Sequence, residues 1–85
     1  MPEISRFFGI IITINYREHD PPHFHAWYGG NDISVRISDG SVSGEMQRRA
    51  LALVLEWWHL HRNELLENWN LAQAGKSLRK IEPLD

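Results

Sequence analysis

Three of the five histidines, His19, His23 and His25, fall within one stretch, HDPPHFHAWYGG, running from His19 to Gly30. Imidazole ionises near neutrality, so histidines gathered this densely can serve acid–base chemistry or ligate a metal ion. The same stretch holds Pro21-Pro22, Phe24, Trp27, Tyr28 and Gly29-Gly30. That composition is denser than a connector requires and nominates the stretch as a site.

Two chemistries compete for it. If His23 and His25 sit on a strand, both rings leave one face about 6.6 Å apart along the backbone. They can then chelate one zinc or other divalent transition metal, which needs further ligands. His19, Asp20 and His61 are the candidates, with His61 arriving from a helix. The second chemistry places Arg36 beside the pair and needs no cofactor. A guanidinium there lowers the basicity of the rings and disfavours a cation. The patch becomes an anion-facing surface, with Arg36 on a phosphate and His23 and His25 as general acid and base. Trp27, Tyr28 and His19 would complete the binding surface, the aromatic rings stacking on a base. Against both stands a plainer account, an outer sheet face whose histidines bond to neighbours. His59 and His61 repeat the His-x-His spacing, but on a helix they point about 160° apart and cannot share one metal.

The elements that position these residues follow from periodicity. Phe7 to Arg17 reads as one long strand, with Phe8, Ile10, Ile12, Ile14 and Tyr16 on its core face. Glu18 to Pro22 ends it, because neither proline donates to a ladder and Pro21 disfavours a helical Asp20. His23–Tyr28 is a second strand, and Ile33, Val35 and Ile37 alternate with polar residues in a third. Asp39-Gly40 signals a two-residue hairpin, leaving Ser41 to Ser43 as a short edge strand.

The register of the middle hairpin decides where the histidines face. A turn at Gly30-Asn31 sets Tyr28 opposite Ile33, Ala26 opposite Val35 and Phe24 opposite Ile37. Phe24, Ala26 and Tyr28 then enter the core. His25 lies opposite Arg36 and His23 opposite Ser38, on an exposed patch away from the helix. One extra turn residue would reverse the faces and bring His23 and His25 towards His61. The first register buries more carbon and is the expectation.

From Met46 the pattern takes a helical period, free of Gly and Pro to Ala74, with Gly75 placed as a C-terminal cap. One such helix would be about 40 Å long, so its last turns overhang the sheet or bend back near Asn63. Its apolar stripe is Ala50, Val54, Trp57, Trp58, His61, Leu65, Trp69 and Ala72. Glu56, His59, Asn63, Glu67 and Asn70 lie opposite. Leu51, Leu55 and Leu66 border the stripe as a candidate partner surface. Residues 76–85 dock as an extended arm or fray.

The expected fold is therefore α+β: an antiparallel meander of three to four strands with one long C-terminal helix packed on one face. It forms a single domain over 1–85, divided into a 1–44 meander, a 45–75 helix and a 76–85 arm. The absence of cysteine removes disulfides and thiol nucleophiles. A net charge of −2 argues against a non-specific nucleic-acid binder. No apolar run approaches the ~20 residues of a membrane span. The opening MPEISRFFGIIITINY lacks a signal-peptide pattern, so the expected location is cytoplasmic.

PEISRFFGI, HDPPHFHAWYGG and RRALALVLEWWHLHRNELLENW running into LAQAGKSLRKIEPL agree in order and spacing with one family. Through them the chain resembles the small bacterial domain-of-unknown-function family four-one-six-zero, typified by a Pro-Pro-His-Phe-His-Ala segment. Trp58 departs from the small residue common at that position. The motif maps onto Pro21, Pro22, His23, Phe24, His25, Ala26, Tyr28 and Gly29. The family has no assigned reaction. The resemblance implies a component of a toxin–antitoxin-like two-protein module, encoded beside a small partner protein. On that reading the chain binds its partner, with RNA left open as a further ligand; a metal-binding role and a non-catalytic interaction domain are the alternatives. Self-association is left open.

Overall fold

Two glycines in succession, two more in tight turns and a run of isoleucines shape the first half of the chain. In the computed structural model, which describes residues 2–85, that half forms five strands. These are β1 (Glu3–Phe7), β2 (Ile10–Thr13), β3 (His23–Tyr28), β4 (Asn31–Arg36) and β5 (Val42–Ser43). They make one antiparallel sheet in the order β1-β2-β3-β4-β5. The α+β meander stands, with five strands in place of three to four.

The extra strand comes from a turn inside the segment expected to be continuous. Phe8 (φ 49°) and Gly9 (φ 80°) link Phe7 to its partner Ile10. Positive φ at both central residues is what a two-residue turn of the right twist needs. Phe8 gives no sequence sign of it, since bulky residues rarely adopt positive φ. The turn puts Phe7 in the core and leaves Phe8 57% exposed, correcting the expected face. Tyr16 is likewise exposed, whereas Ile10, Ile12 and Ile14 are buried as expected.

The β3–β4 hairpin turns at Gly29-Gly30, not Gly30-Asn31, so Tyr28 pairs Asn31, Ala26 pairs Ile33 and Phe24 pairs Val35. Both glycines have positive φ (58° and 84°), which a β-carbon at Asn31 would resist. The register moves by two residues, which preserves the faces: Phe24 and Ala26 are fully buried. Arg36 therefore sits opposite His23, and Ser34 opposite His25. The β4–β5 link is also wider than expected, with Arg36 N–H bonding Ser41 O across Ile37–Gly40.

The helical segment is two helices, α1 (Arg48–Leu60) and α2 (Arg62–Gln73), broken at His61. This is the bending outcome, two residues before the expected point. His61 leaves helical backbone at φ −125°, and its N–H is shared between Trp57 O and Trp58 O. Gln47 caps α1 by accepting from Ala50 N–H at 2.8 Å. Gly75 ends α2 with φ 71°, and Lys76 N–H bonds Leu71 O, as a glycine cap should.

Trp57 joins α1 to the sheet, its ring 5.5 Å from Phe7 and 5.8 Å from Phe24. Ala50, Val54, Leu65, Trp69 and Ala72 are buried with it, and the residues expected on the solvent face are exposed. Trp58 is half-buried, donating to Ile37 O at 2.9 Å. The arm docks: Ile81 is buried and its N–H bonds Ile4 O at 2.8 Å. No helix among the described residues is long and apolar enough to cross a membrane.

Candidate metal centre

β3 alternates, so His23 and His25 leave the sheet on the face opposite Phe24 and Ala26. Both turn towards one carboxylate. Glu18, in the β2–β3 link, holds Oε1 2.9 Å from His23 Nε2 and 3.0 Å from His25 Nε2. The three side chains are between 17% and 28% exposed, neither sealed nor freely solvated. Their donor atoms all lie within 4.8 Å of one another, and among the described residues they form the convergent metal-competent group.

The surrounding contacts fix that arrangement. His23 Nδ1 lies 2.8 Å from Pro21 O. A carbonyl only accepts, so this nitrogen carries the proton. In the neutral ring, Nε2 then presents a lone pair to the carboxylate oxygen of Glu18. Two lone pairs at 2.9 Å need a proton between them, held by His23 or by Glu18, or a metal ion bound to both. His25 faces the same oxygen and can meet it either as a neutral N–H donor or as a ligand. Asn15 Nδ2 donates to Glu18 Oε2 at 3.2 Å, and Gln73 on α2 donates to the Glu18 backbone oxygen at 2.8 Å. Asn15 Oδ1 is buried without a partner among the described residues. Burial by itself raises the Glu18 pKa, but hydrogen bonds from His25 and Asn15 and the electrostatic pull of the His25 and His23 rings outweigh it. The net direction is below the ordinary carboxylate value.

The histidines are not as remote from the helices as expected. They face away from α1, yet α2 passes the start of β3 and sets Trp69 5.2 Å from the His23 ring. The His23 and His25 rings meet edge to face at 5.1 Å. Packing from Trp69 on one side and His25 on the other limits the rotamers of His23, as a preorganised ligand requires.

The remaining candidates divide. Arg36 and His19 line a pocket of about 310 Å³ with His23, beside the triad. Arg36 is also bonded to Asp39 at 3.3 Å. Trp27 shares the histidine face but donates its indole N–H to Thr13 Oγ1 at 3.2 Å. Tyr28 lies on the other face, packed against the core. His61 stands apart from the triad, its ring 5.4 Å from Trp57 and its Nδ1 2.6 Å from Glu64. The residue that converges with His23 and His25 is thus Glu18, whereas His19 and His61 fall outside the group. Sequence reasoning passed over Glu18 because it sits in the strand break, where no periodicity aims side chains. An acid a few residues before a His-x-His pair was the available signal.

No curated protein and no solved structure matches the chain. One family model, described as a domain of unknown function, matches residues 9–70, which include the whole triad and most of both helices. The chain thus belongs to the domain-of-unknown-function family DUF4160.

Proposed function

We propose that this protein binds a divalent transition metal ion through Glu18, His23 and His25 and works as a small metalloprotein with open coordination positions. One observation carries the reading: His23 spends its only neutral-state proton on Pro21 O, leaving Nε2 facing a carboxylate that His25 shares. Two imidazoles and one carboxylate suit zinc, cobalt or iron(II), and three protein ligands leave room for water or substrate. With metal bonds of about 2.1 Å, ligands at right angles stand about 3.0 Å apart, close to the separations of 2.9 and 3.0 Å that Glu18 Oε1 keeps from His23 and His25. The bond from His23 to Pro21 O and that from Asn15 to Glu18 are the outer contacts that orient metal ligands.

The reading as half of a toxin–antitoxin-like module, with a protein partner and RNA, rests on family resemblance. The metal reading rests on geometry, and the two are compatible. The deciding experiment titrates untagged, chelator-stripped protein with Zn²⁺ and Co²⁺ by calorimetry. One equivalent should bind. At free metal near 100 times Kd, stability rises by about 2.7 kcal/mol, raising Tm by roughly 10–20 °C in a domain this small. Failure to take up any divalent transition metal, or uptake unchanged in the combined Glu18→Gln, His25→Ala variant, would sink the reading.

A further inference from the structure

We infer that the pocket beside the triad is a subsite for a small ligand bearing an oxyanion, a phosphate monoester or a carboxylate, with one oxygen on the metal. The inference rests on the metal reading above. Sheet register builds the pocket: His25 pairs Ser34, which pairs Ser43, and His23 pairs Arg36, whose N–H bonds Ser41 O. Two polar rows therefore run from the histidines across β4 to β5. Strands lie about 4.8 Å apart, so each row extends about 10 Å from the triad. Arg36, Ser34, Ser41 and Ser43 line the pocket together with His23, and His19 and Asp20 close it from the loop side. Its volume of about 310 Å³ suits a small ligand, at the low end of ordinary binding sites.

Charge decides what enters. Arg36 is bonded to Asp39 through one guanidinium nitrogen, which leaves further N–H donors in a geometry suited to an oxyanion. Asp39 is itself held by Ser41 N–H at 2.9 Å. Asp20 on the opposite wall opposes an anion. Glu18, Asp20 and Asp39 outweigh Arg36 and the proton between His23 and Glu18, so the metal-free site is net negative; a divalent ion that replaces that proton cancels the excess. Oxyanion binding therefore requires the loaded centre. Serine hydroxyls and the guanidinium then supply donors where the ligand's other oxygens fall.

Full-length protein loaded with Co²⁺ reads this directly, because the visible bands of the ion respond to a new ligand. Inorganic phosphate and malonate serve as probes. The expected result is a saturable band change with at least one of them. Phosphate alone assigns phosphate esters, and malonate alone assigns carboxylates. Arg36→Gln should take up Co²⁺ as wild type does and bind the responding anion roughly tenfold or more weakly. Asp20→Asn should bind it more tightly. Ser34→Ala, a small change on the neighbouring row, should weaken it roughly two- to tenfold and keeps the test open if Arg36→Gln misfolds. A loaded protein deaf to both anions, or one in which Arg36→Gln and Ser34→Ala bind like wild type, overturns the subsite and leaves the metal centre standing. A chain that takes up no metal removes both.

Discussion

The proton on His23 Nδ1 is committed to Pro21 O, and that commitment propagates through the whole centre. It fixes the tautomer, aims Nε2 at Glu18, and makes the orientation of the carboxylate the next variable. Asn15 sets that orientation from Nδ2 while its own Oδ1 lies buried and unpartnered. Asn15→Ala should therefore weaken metal binding by roughly 10- to 100-fold, the usual effect of losing an outer contact, with the fold intact by circular dichroism. Calorimetry on the stripped variant checks it, and unchanged affinity would show that Glu18 orients itself. Glu18 also makes a pH prediction for the metal-free protein. Its folded-state pKa is held below the ordinary value, so its contribution to stability is present above pH about 4.5. That contribution disappears as pH falls through the lower folded value. Urea midpoints measured between neutrality and pH 3 should fall on acidification, and more steeply in wild type than in Glu18→Gln. Equal slopes would mean that Glu18 gains nothing from its partners. At this scale, the sequence told which strand residues share a face, because alternation survives a shift of two. It could not tell that Glu18 joins them, because a loop residue's direction depends on contacts such as the bond from Gln73, 55 positions away.

Hairpins depend on backbone more than on side-chain type, and that is where sequence and structure part. The Gly29-Gly30 turn was legible to within one residue, whereas Phe8-Gly9 was hidden behind an aromatic residue in a positive-φ conformation. The helical break at His61 was legible as a length conflict, since a rod of ~40 Å outruns this sheet, but no Gly or Pro marked its place. The glycines yield a graded prediction. A β-carbon at Gly29 would meet nothing within 4 Å, so Gly29→Ala carries only the cost of its positive φ, about 1 kcal/mol. At Gly44 the same atom would stand 2.9 Å from Asp32 O, a backbone oxygen that cannot swing aside, with φ at 98°. Gly44→Ala should then cost about 2–3 kcal/mol, adding strain to the conformational penalty. Because Gly44 lies against the β4 edge at Asp32 and Ile33, its displacement also loosens the row of serines beside the triad. Denaturant unfolding of the two variants tests the order, and Gly29→Ala proving the more damaging would contradict this account of the hairpins.

A chain of 85 residues has little core to spare, and the C-terminal arm extends what the sheet and helices bury. Its sequence, mixed in charge with isolated apolar residues, fitted docking and fraying equally; three contacts decide for docking. Ile81 N–H bonds Ile4 O, which covers part of the outer edge of β1. Trp57, fully buried, donates its indole N–H to Glu82 O at 2.8 Å. Asn68, 1% exposed, both donates to Arg79 O and accepts from Arg79 N–H, imitating a strand partner. Asn68 escaped the helix-stripe reading because an amide on a half-apolar face looks like a solvent residue until its backbone partner is known. Removing residues 76–85 would thus strip two buried side chains of their hydrogen bonds and uncover Trp57. Each orphaned buried group costs about 1–3 kcal/mol, and losing Ile81 from the core adds about 2–4 kcal/mol. Since small domains have only about 5–15 kcal/mol in hand, the truncated chain should lose its cooperative melting transition or melt far below the full-length protein. Ile81→Ala isolates the packing share, with an expected loss of about 2–4 kcal/mol by urea unfolding and no change in metal stoichiometry. The arm lies away from the triad and touches it only through the stability of the whole. A truncated protein that melts like the full chain would mean the arm rides on the surface, and its contacts to Trp57 and Asn68 would then carry no net free energy.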